Sequence, residues 1–237
     1  MSEQDLGIES NAFPKRMRAG VSLAWRIFAR KVAEGLILVH KEASMQLQFA
    51  YVLQQLLPLL VFHPDETFSI ELETGVKLNK RSYEVDVLMK GASKAGSYRI
   101  AIELKCYRTM AASGDPRGAT DIFMKDVYED LAMTELYVDH DVAEEGIVLV
   151  MNDLKRLVHP AQKTAKCWDY DISHGAAFGP ILLTTKVGSK PVRIELKRSY
   201  ALDWNHQGAF WFLEAQGVLP PAAASSPVGA SPTLAAA

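Results

Sequence analysis

The sequence predicts an α/β fold in which a mixed central sheet is flanked by helices. Three observations carry that expectation. Between Tyr83 and Cys106, two β-rich runs, 83–89 and 98–106, flank a segment containing Gly91, Ser93, Gly96 and Ser97, the pattern of a hairpin with a loose loop. Apolar residues recur at helical spacing both before and after that hairpin. Residues 146–151, GIVLVM, form a continuous apolar run without alternation, as expected of a strand covered on both faces.

Taken in order, residues 1–14 read as a loose lead-in. Val21, Trp25, Phe28, Val32 and Leu36 then predict an amphipathic helix over about 21–36. Lys15, Arg16, Arg18, Arg26, Arg30 and Lys31 crowd the same region and give that helix a basic face, which is solvated or, at Arg26 and Arg30, able to meet phosphate. A second helix is predicted over about 41–57, with Met45, Phe49, Leu53 and Leu56 inward and Glu42 on the same side. An acid in a first helical turn also complements the helix dipole, which is the plainer reading of Glu42. Pro64-Asp65 turns the chain into a strand over 67–73, where Phe68, Ile70 and Leu72 alternate with polar residues. Residues 74–82 read as a polar connection whose Lys80 and Arg81 are loop charges that a phosphate backbone can meet.

After the hairpin, Gly114, Asp115, Pro116 and Gly118 mark a loop that ends near Thr120 or Asp121 as a helix cap. The helix over about 121–137 places Phe123, Val127, Leu131 and Thr134 on one side and Lys125, Glu129 and Asp130 elsewhere. Lys125 either pairs with Glu129 four residues on or projects toward substrate. The order is then α-β-β-β-α-β. Beyond it, 181–187 and 191–200 read as extra strands and 205–216 as a short helix bearing Phe210, Trp211 and Leu213. From Pro220 the Ala/Pro/Ser-rich tail lacks large side chains apart from Val228 and Leu234 and is expected to be disordered. The expected organisation is a flexible 1–14, a single domain over 15–219 with its core at about 40–151, and a tail over 220–237.

Composition narrows the function classes. With 237 residues, 49% hydrophobic and 23% charged, the chain can build a full core without staples. Cys106 and Cys167 have no metal-ligand spacing and suit a reducing cytoplasm. The N-terminus lacks the continuous apolar core of a signal peptide, and the apolar run near 56–62 is too short to span a bilayer, so a cytoplasmic protein without a membrane partner is expected. A net charge of −2 gives no general pull toward nucleic acid, so any such contact must be local. No Gly-rich phosphate loop, no Gly-x-Ser-x-Gly elbow and no Cys/His zinc pattern occurs.

The hairpin carries the chemistry. If its loop centres between Lys94 and Ala95, Asp86 faces Glu103 and Glu84 faces Lys105, all on one side. Ile100, Ile102 and Leu104 mark the other side as buried, so these charges need partners or a metal. Opposed carboxylates repel unless a cation lies between them, and oxygen ligands of this kind suit Mg²⁺ or Mn²⁺. A neighbouring lysine can orient water or offset phosphate charge.

An Asp on one strand with Glu-x-Lys on the next, here Val85-Asp86 and Glu103-Leu104-Lys105, resembles the PD-(D/E)xK nuclease superfamily of restriction-endonuclease-like folds, with Val85 in place of proline. The resemblance covers about 40–151 and includes the element order. It implies a Mg²⁺-dependent nuclease, with Mn²⁺ able to substitute, that hydrolyses phosphodiester bonds, in DNA ahead of RNA, and leaves a 5′-phosphate and a 3′-hydroxyl. Asp86, Glu103 and the Leu104 carbonyl would hold metal, Lys105 would serve the attacking water, and Glu42 would reach the metal site. Restriction, phage defence and repair are the settings it implies, and a homodimer the assembly. A silent relative that binds nucleic acid or acts as a scaffold is the alternative. A third reading is a structural ion network on a solvated face, with Glu84 on Lys105 and Asp86 on Arg99 or Lys90. Ile-Glu-Leu-Lys recurs at 194–197, but that copy has no acid on a partner strand at hairpin distance and reads as a polar edge strand.

Overall fold

A computed structural model describes residues 7–111 and 113–219. The chain opens with α1 (Phe13–Ala33), which starts inside the expected lead-in, eight residues before the predicted helix, with Pro14 pre-set for its first turn. Gly35, in the left-handed region at φ 72°, ends it by letting the Leu36 N–H donate back to the Lys31 carbonyl at 2.8 Å. Leu36 is therefore outside the helix and exposed, contrary to the predicted inward stripe, whereas Val21, Trp25, Phe28 and Val32 are buried. The expected basic face is also thinner than its charges suggest. Arg16 is fully buried in an ion pair with Glu66, and Arg18 reaches Glu214 and Glu145.

Helix α2 (Glu42–Leu56) packs beside α1 with Met45, Phe49 and Leu53 inward. Next come β1 (Thr67–Leu78), β2 (Arg81–Ser93) and β3 (Gly96–Tyr107), joined by two tight turns. The predicted polar connection over 74–82 is instead strand, turn and strand: β1 runs to Leu78, and Asn79 and Lys80, both at positive φ, make a two-residue turn. The β2–β3 turn is equally short, with Ser93 paired to Gly96 around Lys94 and Ala95, so the expected loose loop is a tight one.

Helix α3 (Thr120–Asp139) starts after Ala119, which adopts a left-handed φ of 59° without a side-chain cap, so neither Thr120 nor Asp121 caps it. Strand β4 (Glu145–Asn152) then runs parallel to β3, with Glu103 beside Val148 and Lys105 beside Val150. The region after it holds short strands β5 (Ala177–Phe178), β6 (Ile181–Leu183), β7 (Ile194–Leu196) and β8 (Tyr200–Ala201); only 181–183 of the strand expected over 181–187, and 194–196 and Tyr200 of that expected over 191–200, are strand, and β5 is not among the expected strands. The helix predicted over 205–216 is a hairpin, β9 (Asn205–Gln207) and β10 (Phe210–Ala215), turning at Gly208 with φ 59°. Consecutive Phe210, Trp211 and Phe212 favour a pleated strand, and β10 completes its pairing on β4. The predicted disordered tail lies outside the described residues.

The sheet is mixed and six-stranded, in the order β1-β2-β3-β4-β10-β9. One face, carrying Val87, Met89, Ile100, Ile102, Leu104, Ile147, Leu149 and Phe212, packs on α1 and α2. The other, carrying Tyr107, Val148, Val150 and Leu213, packs on α3 and the C-terminal strands. Both cysteines are free thiols. No helix among the described residues is long and apolar enough to cross a membrane.

Candidate active site

The predicted β2–β3 register holds from Ser93 with Gly96 to Val87 with Ile102, and the paired ladder stops there. One step further, the Asp86 carboxylate accepts the Leu104 N–H at 2.7 Å, while Gln46 of α2 donates to the Asp86 carbonyl at 2.8 Å. On the far side of β2, Glu73 lies between the pairs Leu72 with Val87 and Thr74 with Val85, in a left-handed conformation at φ 51°, and accepts a hydrogen bond from Gln46. The sheet is thus opened around Asp86, and side chains replace the missing ladder bonds. Strain of this kind at a non-glycine residue marks functional sites more often than ordinary strands.

Glu103 follows Ile102 on the face covered by α3 and is 8% exposed, with Oε1 buried and without a hydrogen-bond partner. Burial pushes its carboxyl well above the usual range, and the Asp86 and Asp130 charges add to this against the nearby Tyr137 hydroxyl. Burial likewise raises Asp86 to about 6, with Glu42 and Glu73 reinforcing it and the Leu104 N–H and Lys105 opposing it.

The Lys105 Nζ lies 3.3 Å from Glu42 of α2 and 3.4 Å from Asp130 of α3. Burial works to lower its ammonium, but Asp130 and Glu42 outweigh that and hold it above the ordinary lysine value. Glu42 also receives the Cys106 N–H at 3.4 Å. The α2 acid, half-exposed in the first turn of its helix, therefore meets the hairpin through Lys105 and the Cys106 N–H.

The structure brings together Asp86, Glu103, Lys105 and Glu42, with Leu104 donating its N–H between them. The basic residues offered for nucleic acid lie elsewhere. Arg26 and Arg30 are exposed on α1, with Arg30 paired to Glu34, and Lys80 and Arg81 sit at the β1–β2 turn. Lys125 is held by Asp126 and Glu129. The pairings of the structural-network reading do not form: Lys105 pairs with Glu42 and Asp130 rather than Glu84, Arg99 pairs with Glu144, and Lys90 with Glu71. In the second Ile-Glu-Leu-Lys, Glu195 is exposed beside Arg193, and Lys197 meets Asp139.

Sequence reasoning missed Asp130, Gln46 and Tyr137. The sequence pattern puts Asp130 off the apolar side of α3, yet its side chain is 13% exposed and faces Lys105. The signal was spacing, because Asp130 stands three residues after Val127 and four before Thr134, both buried, with Tyr137 two turns on. Gln46 lies one turn after Glu42 on the same helix.

Among the described residues, no three His, Cys, Asp or Glu side chains are disposed to hold a metal ion. Asp86 is turned to the Leu104 N–H and Glu42 to Lys105. Asp86 and Glu103 nonetheless fit a hard divalent cation as a pair of oxygen donors. Their mutual repulsion and the unpartnered Glu103 Oε1 are the deficits such an ion relieves, and Mg²⁺ retains several waters when protein ligands are few. No family model, curated protein or solved structure matches this chain.

Proposed function

We propose that the chain is a metal-dependent nuclease hydrolysing phosphodiester bonds in DNA, built on a restriction-endonuclease-like core. The observation that carries this reading is the half-buried Asp86 with the buried Glu103, which has an unpartnered carboxylate oxygen, beside the ammonium of Lys105. The element order α2-β1-β2-β3-α3-β4, with β4 parallel to β3, supports the topology. A structural ion network would pair these acids with cations, whereas they repel each other at a break in the sheet.

Asp86 and Glu103 would hold Mg²⁺ or Mn²⁺, which when bound supplies Lewis acidity toward a phosphoryl oxygen. Asp86 is fixed for this by the Leu104 N–H and by the Gln46 bond to its carbonyl. Lys105 presents a fixed positive charge that orients a water and offsets charge developing on phosphate. Glu42 steadies the lysine from the α2 side.

The test is incubation of plasmid and single-stranded DNA with Mg²⁺ and Mn²⁺. Cleavage by the native chain should fall by about 10²-fold or more in Asp86→Ala and Lys105→Ala and stay near native in Glu195→Ala. DNA bound but uncut under both metals would turn the reading to a silent binding protein. Activity lost in Glu195→Ala and kept in Asp86→Ala would overturn the site.

A further inference from the structure

We propose that Asp130, on α3, is a positioning residue that keeps the Lys105 ammonium beside Asp86 and Glu103; its part in catalysis rests on the nuclease reading above. Two acids flank this lysine at almost equal distance, 3.3 Å for Glu42 and 3.4 Å for Asp130, but they are not equivalent anchors. The Glu42 side chain is 43% exposed in the first turn of α2 and divides itself between Lys105 and the Cys106 N–H. Asp130 stands mid-helix, 13% exposed, beside the fully buried Val127 and Leu131.

The Asp130 Oδ2 atom is buried and makes no hydrogen bond, so the charge facing it is that of Lys105. A half-exposed acid can swing toward a cation or a water; one walled in by helix packing cannot. When Glu42 leaves, Asp130 is the contact that still fixes Nζ, and a reacting group displaced by about 1 Å costs on the order of 10²-fold in rate. The helix behind the Glu-x-Lys strand is therefore part of the machinery, acting through Lys105 without touching substrate.

The experiment compares Asp130→Asn, Asp130→Glu and Glu42→Gln with the native chain in three readouts. These are single-turnover cleavage with Mg²⁺, DNA affinity by anisotropy in Ca²⁺, and the acetylation rate of Lys105 relative to the exposed Lys15, read by peptide mass spectrometry. Asp130→Asn should slow cleavage by about tenfold or more at unchanged affinity and speed labelling of Lys105 alone, and Asp130→Glu should restore part of both. A merely structural aspartate would instead speed labelling of many lysines together as melting falls. Native labelling of Lys105 in Asp130→Asn, or a uniform rise, overturns the assignment. If Asp130→Asn does not fold, Asp130→Glu with native labelling supports the assignment, and with a uniform rise overturns it. If the native chain cuts under neither metal while Lys105 labelling rises selectively, the positioning role stands and the nuclease reading falls.

Discussion

Asp86 leaves the β2–β3 ladder and takes its neighbour's N–H with its side chain, and that exchange sets its charge chemistry. Burial raises Asp86 to about 6 and pushes Asp130 up as well, the latter against the pull of the Lys105 ammonium. Both folded values lie above those of the unfolded chain, so between them the folded state holds protons that the unfolded state has released. The Asp86 contribution to stability is full below about pH 4 and is lost as pH rises through about 6. Metal-free protein should therefore melt at lower temperature at pH 8 than at pH 5. Asp86→Asn, which keeps an oxygen for the Leu104 N–H, should raise the melting temperature at pH 8 by roughly a few degrees while removing cleavage. Thermal melts across pH in chelator check this. A native melting temperature at pH 8 in Asp86→Asn would mean that the Asp86 charge is no burden to the fold.

At the scale of the element, α3 sits where it does because Gly146 lets it. A Cβ on Gly146 would lie 2.8 Å from the Thr134 carbonyl oxygen, a backbone atom held inside a helix that cannot yield. Thr134 is one turn after Asp130, so the close approach of α3 to β4 and the placement of Asp130 over Lys105 share one cause. Gly146→Ala should destabilise by about 1–3 kcal/mol through overpacking, and it should slow cleavage beyond what Ala substitution does elsewhere in β4. Denaturant unfolding beside single-turnover rates reads both effects. Native values in both would mean that α3 shifts without consequence.

In the whole molecule, the last described strand holds the first helix. Phe212 of β10 meets Trp25 and Phe28 of α1 edge to face, with centroids 5.5 and 6.4 Å apart, and Trp25 and Phe28 meet Phe49 of α2 in the same way. One aromatic cluster thus ties α1 and α2 to the sheet and so braces the start of α2, where Glu42 sits. Phe212→Ala should cost about 3–5 kcal/mol, measured by denaturant unfolding. A loss under about 1 kcal/mol would show that α1 is held by its other contacts.

The sequence by itself determined α2, α3 and the β2–β3 register from Ser93 with Gly96 to Val87 with Ile102, because helical and pleated periods are local and a tight turn fixes which residues oppose. The buried middle strand was legible for the same reason, since GIVLVM leaves no polar face to offer water. Three features were decided by tertiary structure alone. The chain over 205–216 became a hairpin because the free edge of β4 was there to pair with it. Arg16 went inside because Glu66, 50 residues away, was there to meet it. Asp130 joined the site because two helices from opposite faces of the sheet converge on one lysine. Each depends on a partner distant in sequence, and no local periodicity records who that partner will be.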